Sequence, residues 1–262
     1  MEVLRRSWRD SRGKVIVTLL VLWVAALVHQ FSLIAFLYPI VAVLVVSALD
    51  QLFTRLRFGR DIFSLSSVVT GFLIGLILDP KSAATTLLLA CLIASLAKQF
   101  IAKGLHRHMF NPAAIGLVGV SVVPEALISW WGVSWGLLPV AIILVGIFVV
   151  LRQLGRLWMP ITFLLVYIVS LTFFHSLETA IRLTVDGTVF LFAFVMITEP
   201  MTSVNSKWWR YGWGILVGLL VVVHTILGTS WTDPLLLGLL VANLLGFLLV
   251  RRRVLRSAIG SV

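Results

Sequence analysis

The sequence predicts an all-α polytopic membrane protein of about ten transmembrane helices, arranged as two inverted five-helix repeats that each contain one half-length helix. Three observations carry this. Of the 262 residues, 60% are hydrophobic and only 12% are charged, so no stretch is polar enough to form a separate soluble domain. Two interrupted segments lie 120 residues apart: 66–80 (SSVVTGFLIGLILDP) and 186–200 (DGTVFLFAFVMITEP). Each opens on small polar residues, runs through apolar ones and stops at an acid followed by proline. A second pair follows at a matching distance, because Asn111-Pro112 with Gly116 recurs as Asp233-Pro234 with Gly238, 122 residues on. The agreement of the two offsets points to a duplicated unit.

Segmentation by hydrophobicity places the crossings near 15–29, 31–50, 67–79, 83–101, 112–124, 129–150, 157–174, 179–198, 209–228 and 234–250. The first segment follows a basic N-terminus without a small-residue cleavage site, so a removable signal peptide is not expected. Residues 68–78 and 188–198 make only about 16 Å of helix against about 30 Å of hydrocarbon. They can cross only as half-helices joined to irregular backbone, and such backbone survives at membrane depth only inside protein or beside a cavity.

Charge fixes the expected sidedness. With ten crossings and a cytoplasmic N-terminus, the inside loops hold 19 of the 21 Lys and Arg, leaving only Lys81 and Arg182 outside. If the two half-helices instead re-enter and return, the division falls to 16 inside and 5 outside. Ten crossings fit the positive-inside rule better, with both termini cytoplasmic in a prokaryotic inner or plasma membrane. The net charge of +11 is then explained by span ends facing lipid, not by nucleic acid. Five spans per repeat is an odd number, so the second copy, residues 126–262, is inverted relative to the first, residues 1–125. The N-terminal ends of the half-helices are expected to approach each other near the bilayer centre. Their unpaired N–H groups would make a site for an anion or an electron-rich ring.

Three stretches carry a resemblance beyond periodicity: SSVVTGFLIGLILDP, the run AKQFIAKGLHRHMFNPAAIGLV (97–118), and FAFVMITEPMTSV followed by YGWGILVG (192–218). Together they resemble the NqrB/RnfD family of membrane subunits, found in the sodium-pumping NADH:quinone reductase and the Rnf ferredoxin:NAD complex. The resemblance implies ten helices in two inverted halves, bound flavin, and electrons supplied by a partner. That partner would be another membrane subunit of an electron-transfer complex or a soluble flavin or iron-sulfur reductase. Family members that hold FMN covalently do so on the threonine of an SGAT-like motif after the fifth span. Here that region, 123–131, has no threonine. Covalent FMN is therefore not expected, and FMN or riboflavin held non-covalently is.

The candidate cofactor-binding residues are Ser67, Thr70 and Gly71 on the first half-helix, Asn111 at the start of the fifth span, Asp186, Gly187 and Thr188 on the second half-helix, and Thr202 after it. Each has a plainer reading. Small residues pack helices in membranes, Asp186 and Thr202 can serve as helix caps, and Asn-Pro is an ordinary helix start. The His106-x-His108 pair lacks further ligands nearby and reads as a surface loop. Trp130, Trp131, Trp135, Trp208, Trp209, Trp213 and Trp231 read as an interfacial aromatic belt. None of the ten acids falls in the middle of a full-length span, which argues against an ion relay within this chain alone. No catalytic triad, phosphate loop or metal cluster can be assembled. The expected function is a membrane electron-transfer subunit. The alternative is a small-solute transporter or channel on the same scaffold.

Overall fold

The computed structural model describes residues 11–61, 63–101, 108–203, 208–228 and 231–259, with side chains as far as residue 249. The described chain is helical: α1 (Ser11–His29), α2 (Leu33–Phe58), α3 (Leu65–Ile77), α4 (Ala84–Phe100), α5 (Pro112–Val120), α6 (Leu138–Leu154), α7 (Trp158–Leu171), α8 (Leu177–Thr184), α9 (Gly187–Leu191) running into a π-helical turn (Phe192–Met196), α10 (Trp209–Ile226) and α11 (Pro234–Ile259). Helices α1, α2 and α10 are each long and apolar enough to cross a membrane by themselves.

Local chemistry sets the boundaries. Ser32 accepts a bond from the Ala35 N–H to start α2, and Gly59, left-handed at φ 64°, ends it. Asn111 accepts from the Ala114 N–H with Pro112 in the first turn, so α5 begins where the Asn-Pro pair predicts. Gly155, again left-handed, closes α6. The eighth expected segment is a bent pair: α8 meets α9 and its π-turn at 55°, with Asp186 capping the second piece.

Three helix pairs relate the halves. Lys14 bonds Gln153, and Thr18 packs against Gly146, so α1 and α6 run antiparallel. The Asn111 N–H bonds Asn243 Oδ1 while Thr232 bonds Ser121, so α5 and α11 also run antiparallel. The half-helices do the same, since Ser66 and Val69 share a cleft with Phe194, Val195 and Thr198, whereas Gly187 sits on the Val133 carbonyl beside the end of α3. Within each half the neighbours recur as well: α2 packs on α3 and α4, and α7 packs on the π-turn and α10.

Two boundaries differ from expectation. Helix α6 starts at Leu138, not near 129, because residues 121–137 form a non-helical segment folded over the C-terminal end of α3. The Ser129 and Trp130 N–H groups bond the Ile77 carbonyl, and the Gly132 N–H bonds that of Leu76. Trp130, Trp131 and Val133 are buried in protein here, and a hydrophobicity window reads them as part of a span. Helix α2 continues past residue 50 to Phe58, which places Asp50 inside a helix and buries it. An acid can sit there because Lys98 reaches it from α4.

The tryptophans divide. Trp208 is 83% exposed and Trp231 49%, as a belt requires. Trp130, Trp131 and Trp213 are buried instead, and each indole N–H finds an acceptor: Asp233 Oδ2 at 2.8 Å, the Gly75 carbonyl at 2.8 Å and the Ile197 carbonyl at 3.1 Å. Trp131 and Trp213 thus satisfy carbonyls near the ends of the two half-helices, which have no intrahelical partner. They are structural donors and do not belong to the belt.

Candidate functional site

One end of the bundle gathers most of the buried polar groups. Lys98 Nζ lies 2.9 Å from Asp50 Oδ2, both side chains being about 5% exposed or less. Ser67 Oγ donates to the same carboxylate oxygen at 2.5 Å and accepts from Lys98 at 2.9 Å. Gln99 Nε2 reaches Asp50 Oδ1 at 2.6 Å and Thr54 Oγ1 at 3.0 Å. A buried pair is tolerated when further bonds occupy its remaining lone pairs and protons, and Ser67 and Gln99 supply such bonds here. The result is that the first turn of α3 is pinned to α2 and α4.

Beside this network the two sequence motifs meet. Asn111 Nδ2 donates to Glu199 Oε2 at 2.9 Å, and Thr202 Oγ1 donates to the same oxygen at 3.1 Å. Asn111 belongs to the FNPA stretch and Glu199 to TEPMTS, 88 residues apart in sequence. Arg156 is buried and closes the cluster, donating to the Thr198 carbonyl and to Ser203 Oγ. Burial pushes the Glu199 carboxyl up to about 7, against the opposing pull of the Thr202 bond and of Lys98, Arg12 and Arg156. His108 Nδ1 lies 3.0 Å from the Lys98 carbonyl. Burial, helped by the Lys98 charge, pushes its imidazole down to about 4, so near neutral pH the ring is uncharged and Nδ1 carries the hydrogen toward that carbonyl.

Next to the cluster opens a cleft of about 80 Å³. Its walls are the first turns of α1 and α3, the last turns of α6, and the π-turn with the residues after it. Val69, Ile147, Leu151 and Phe194 make it mainly apolar, while Arg12 and Glu199 are its charged lining residues among those described. The π-turn is defined by the Ile197 N–H bonding the Phe192 carbonyl, five residues back. Such turns widen a helix locally and concentrate at functional sites. Phe194 lines the cleft and stacks on Phe190 with centroids 5.4 Å apart. The apolar walls with few polar groups are those of a small-molecule pocket.

The expected site residues separate into two groups. Ser67, Asn111 and Thr202 come together in the polar cluster. Thr70 lies one turn along α3 with its hydroxyl on the Ser66 carbonyl, and Gly71 faces α2, where a Cβ would lie 2.5 Å from Val43 Cα. On α3 it is Ser66 and Val69 that line the cleft, in place of Ser67, Thr70 and Gly71. Asp186, Gly187 and Thr188 lie at the opposite end: Asp186 Oδ1 accepts from the Thr188 N–H at 2.8 Å, and Gly187 is pressed against Val133. The N-termini of the half-helices therefore do not face each other. Each lies toward the level of the other's C-terminal end, Ser66 sharing the cleft with Thr198 and Gly187 abutting the 129–133 segment that bonds the end of α3. His106 and the basic residues Arg5, Arg6, Arg9, Lys103, Arg107 and Lys207 lie outside the described residues.

Sequence reasoning passed over Asp50, Lys98 and Arg156, whose burial makes them part of the site. The missed signal was spacing: Lys98 precedes Asn111 in the same conspicuous stretch, and Asp50 sits within an apolar run. A family model described as the NQR2, RnfD, RnfE family matches the chain twice, over residues 5–135 and again over 125–256. The chain is also similar to the D subunit of the ion-translocating oxidoreductase complex of Erwinia tasmaniensis, at 30% identity over 122 residues. That alignment covers 43% of this chain and 33% of the relative, so the chain spans about a third of the length of the protein it matches.

Proposed function

The chain belongs to the NQR2, RnfD, RnfE family, and from that premise we propose that it is a membrane-embedded electron-transfer subunit that binds FMN or riboflavin non-covalently and relays electrons from a cytoplasmic partner. The partner in this reading is another subunit of an oxidoreductase complex or a soluble flavin or iron-sulfur reductase. The residues of the two halves, 1–125 and 126–262, act as inverted copies, and the basic end carrying Arg12, Lys98 and Arg156 faces the cytoplasm, with both termini on that side.

One observation carries the proposal: the cleft is walled by both half-helices at once, next to the point where the FNPA and TEPMTS stretches bond through Asn111 and Glu199. The residues fit the group. Val69 and Phe194 offer apolar and aromatic surface to a planar ring, and Arg12 and Ser66 offer polar contacts. A bound flavin would supply the redox chemistry, and the protein would position it and set its electrostatics. No threonine stands in 123–131, so attachment through a threonine of that loop has no acceptor.

Absorbance of protein purified from its native host tests this directly. A flavin band near one equivalent per chain, released by denaturation without proteolysis, supports the reading. Colourless protein that swells liposomes in small polar solutes would replace it with the transporter alternative.

A further inference from the structure

We propose that Glu199 is the specificity-determining residue of the cleft: ionised, it turns away a flavin bearing a phosphate, and neutral, it admits one, while an unphosphorylated flavin enters in either state. This rests on the reading of the cleft as a flavin site.

The argument starts from placement. Glu199 is the one acid among the described residues lining the cleft, and it is fixed there. Asn111 Nδ2 and Thr202 Oγ1 both bond Oε2, which holds the carboxyl against the wall, so a ligand meets its charge at a set place. The charged groups facing it come from three elements: Arg12 on α1, Lys98 on α4 and Arg156 between α6 and α7. Lys98 is already matched by Asp50. His108, packed near Lys98, stays uncharged through the neutral range and adds nothing there.

Protonation of Glu199 therefore changes the cleft from one carrying both signs to one whose charge, among the described lining residues, is that of Arg12 alone. A phosphate dianion meets a like charge in the first state and only a cation in the second. The ribityl alcohol of riboflavin carries no charge and is indifferent to the change. Because burial holds the Glu199 carboxyl near 7, the two states exchange within the ordinary cytoplasmic range. One added like charge across a partly screened site costs on the order of tenfold in affinity.

The experiment is equilibrium binding of FMN and of riboflavin to the full chain in detergent, followed by quenching of flavin fluorescence from about pH 5.5 to about pH 8.5. The wild-type protein is expected to lose roughly tenfold in FMN affinity across that range while riboflavin affinity stays level. Glu199→Gln is expected to flatten the FMN profile, apart from the part set by the second phosphate ionisation near pH 6. Thr202→Val removes a bond to the ionised carboxylate and is expected to move the wild-type break to higher pH. An FMN-to-riboflavin ratio that is the same at both ends of the range overturns the inference and leaves the flavin site standing. So does a Thr202→Val profile superimposable on wild type. Failure of both flavins to bind at every pH removes the flavin reading itself, and the inference with it.

Discussion

Helix α3 begins inside a network drawn from α2 and α4, whereas α9, its counterpart in the second half, begins on its own cap. Ser67 in the first turn of α3 is bonded to Asp50 and Lys98, and Ser64 before it makes no side-chain cap. At the start of α9, Asp186 accepts from the Thr188 N–H two residues on, Gly187 packs on the Val133 carbonyl, and no ion pair is formed there among the described residues. Their interiors differ too. Helix α3 is regular and lies backbone to backbone on α2, while α9 opens into a π-turn whose Phe194 faces the cleft. The two half-helices thus hold corresponding positions by different means. The copy tied down by long-range charge forms the fixed wall of the cleft, and the widened copy forms the wall that presents an aromatic ring.

The largest effect expected from breaking this arrangement comes at the contact of α3 with α2. A Cβ at Gly71 would stand 2.5 Å from Val43 Cα, and one at Gly75 the same distance from Pro39 Cα, both backbone atoms that cannot give way. Gly71→Leu is expected to abolish recovery of monodisperse protein, since overpacking of this kind exceeds the usual ~1–3 kcal/mol. Gly212→Ala, where the nearest atom stands 4.0 Å away, is expected to behave as wild type in the same size-exclusion assay. Normal yield for Gly71→Leu would mean that α3 does not lie against α2 as described.

Charge comes next. Lys98→Met leaves Asp50 buried without its counter-ion and is expected to cost about 3–5 kcal/mol in a detergent unfolding titration. The double variant Asp50→Leu with Lys98→Met is expected to recover most of that loss, because an apolar pair of similar bulk avoids desolvating either ion. Equal loss in the single and double variants would show that the pair does more than neutralise itself.

A smaller effect depends on pH. The Glu199 carboxyl titrates near 7 when folded, against 4.5 for an ordinary solvated glutamate, so the native state binds more protons than the unfolded chain between those values. Its contribution to stability is full at low pH and lost as pH rises through about 7. Glu199→Gln is accordingly expected to melt with the wild type near pH 5 and above it near pH 8.5, while the Gln carbonyl still accepts from Asn111. A gap between the two that is widest at low pH would reverse the assignment.

How much of this could be read from residues alone varies with the range of the interaction. The helical membrane class, the paired segments and the starts of α5 and α9 were legible, since composition, Asn111-Pro112 and Asp186 act locally. The antiparallel relation of the halves followed from counting charges at span ends. What was not legible depended on partners distant in sequence. Asp50 looked like a span end because its match, Lys98, lies 48 residues away. Trp130 and Trp131 looked interfacial because an indole buried against Asp233 or Gly75 has the same local signature as one in a headgroup layer. The half-helix N-termini were expected to meet head to head. Inversion fixes their directions but not their offset along the bundle, and here opposite ends lie level across a shared cleft.

The smallest predicted effect is also the sharpest check on the comparison. Asp186→Ala deletes one cap bond at the start of α9, and loss of such a cap costs about 1 kcal/mol. The carboxylate also favours the partial positive charge of the first turn, a contribution of the same small order at a partly exposed site. Ser67→Ala at the start of α3 removes a donor to Asp50 and an acceptor for Lys98 together, in a buried network where a partner left unsatisfied costs about 1–3 kcal/mol each. Unfolding titrations of the two alanine variants should therefore rank Ser67→Ala as the more damaging by a factor of two or more. Equal losses would mean that α3 is held by its apolar packing on α2 and that the charged network is incidental to its position, in which case that packing, and not the Asp50–Lys98 pair, fixes this wall of the cleft.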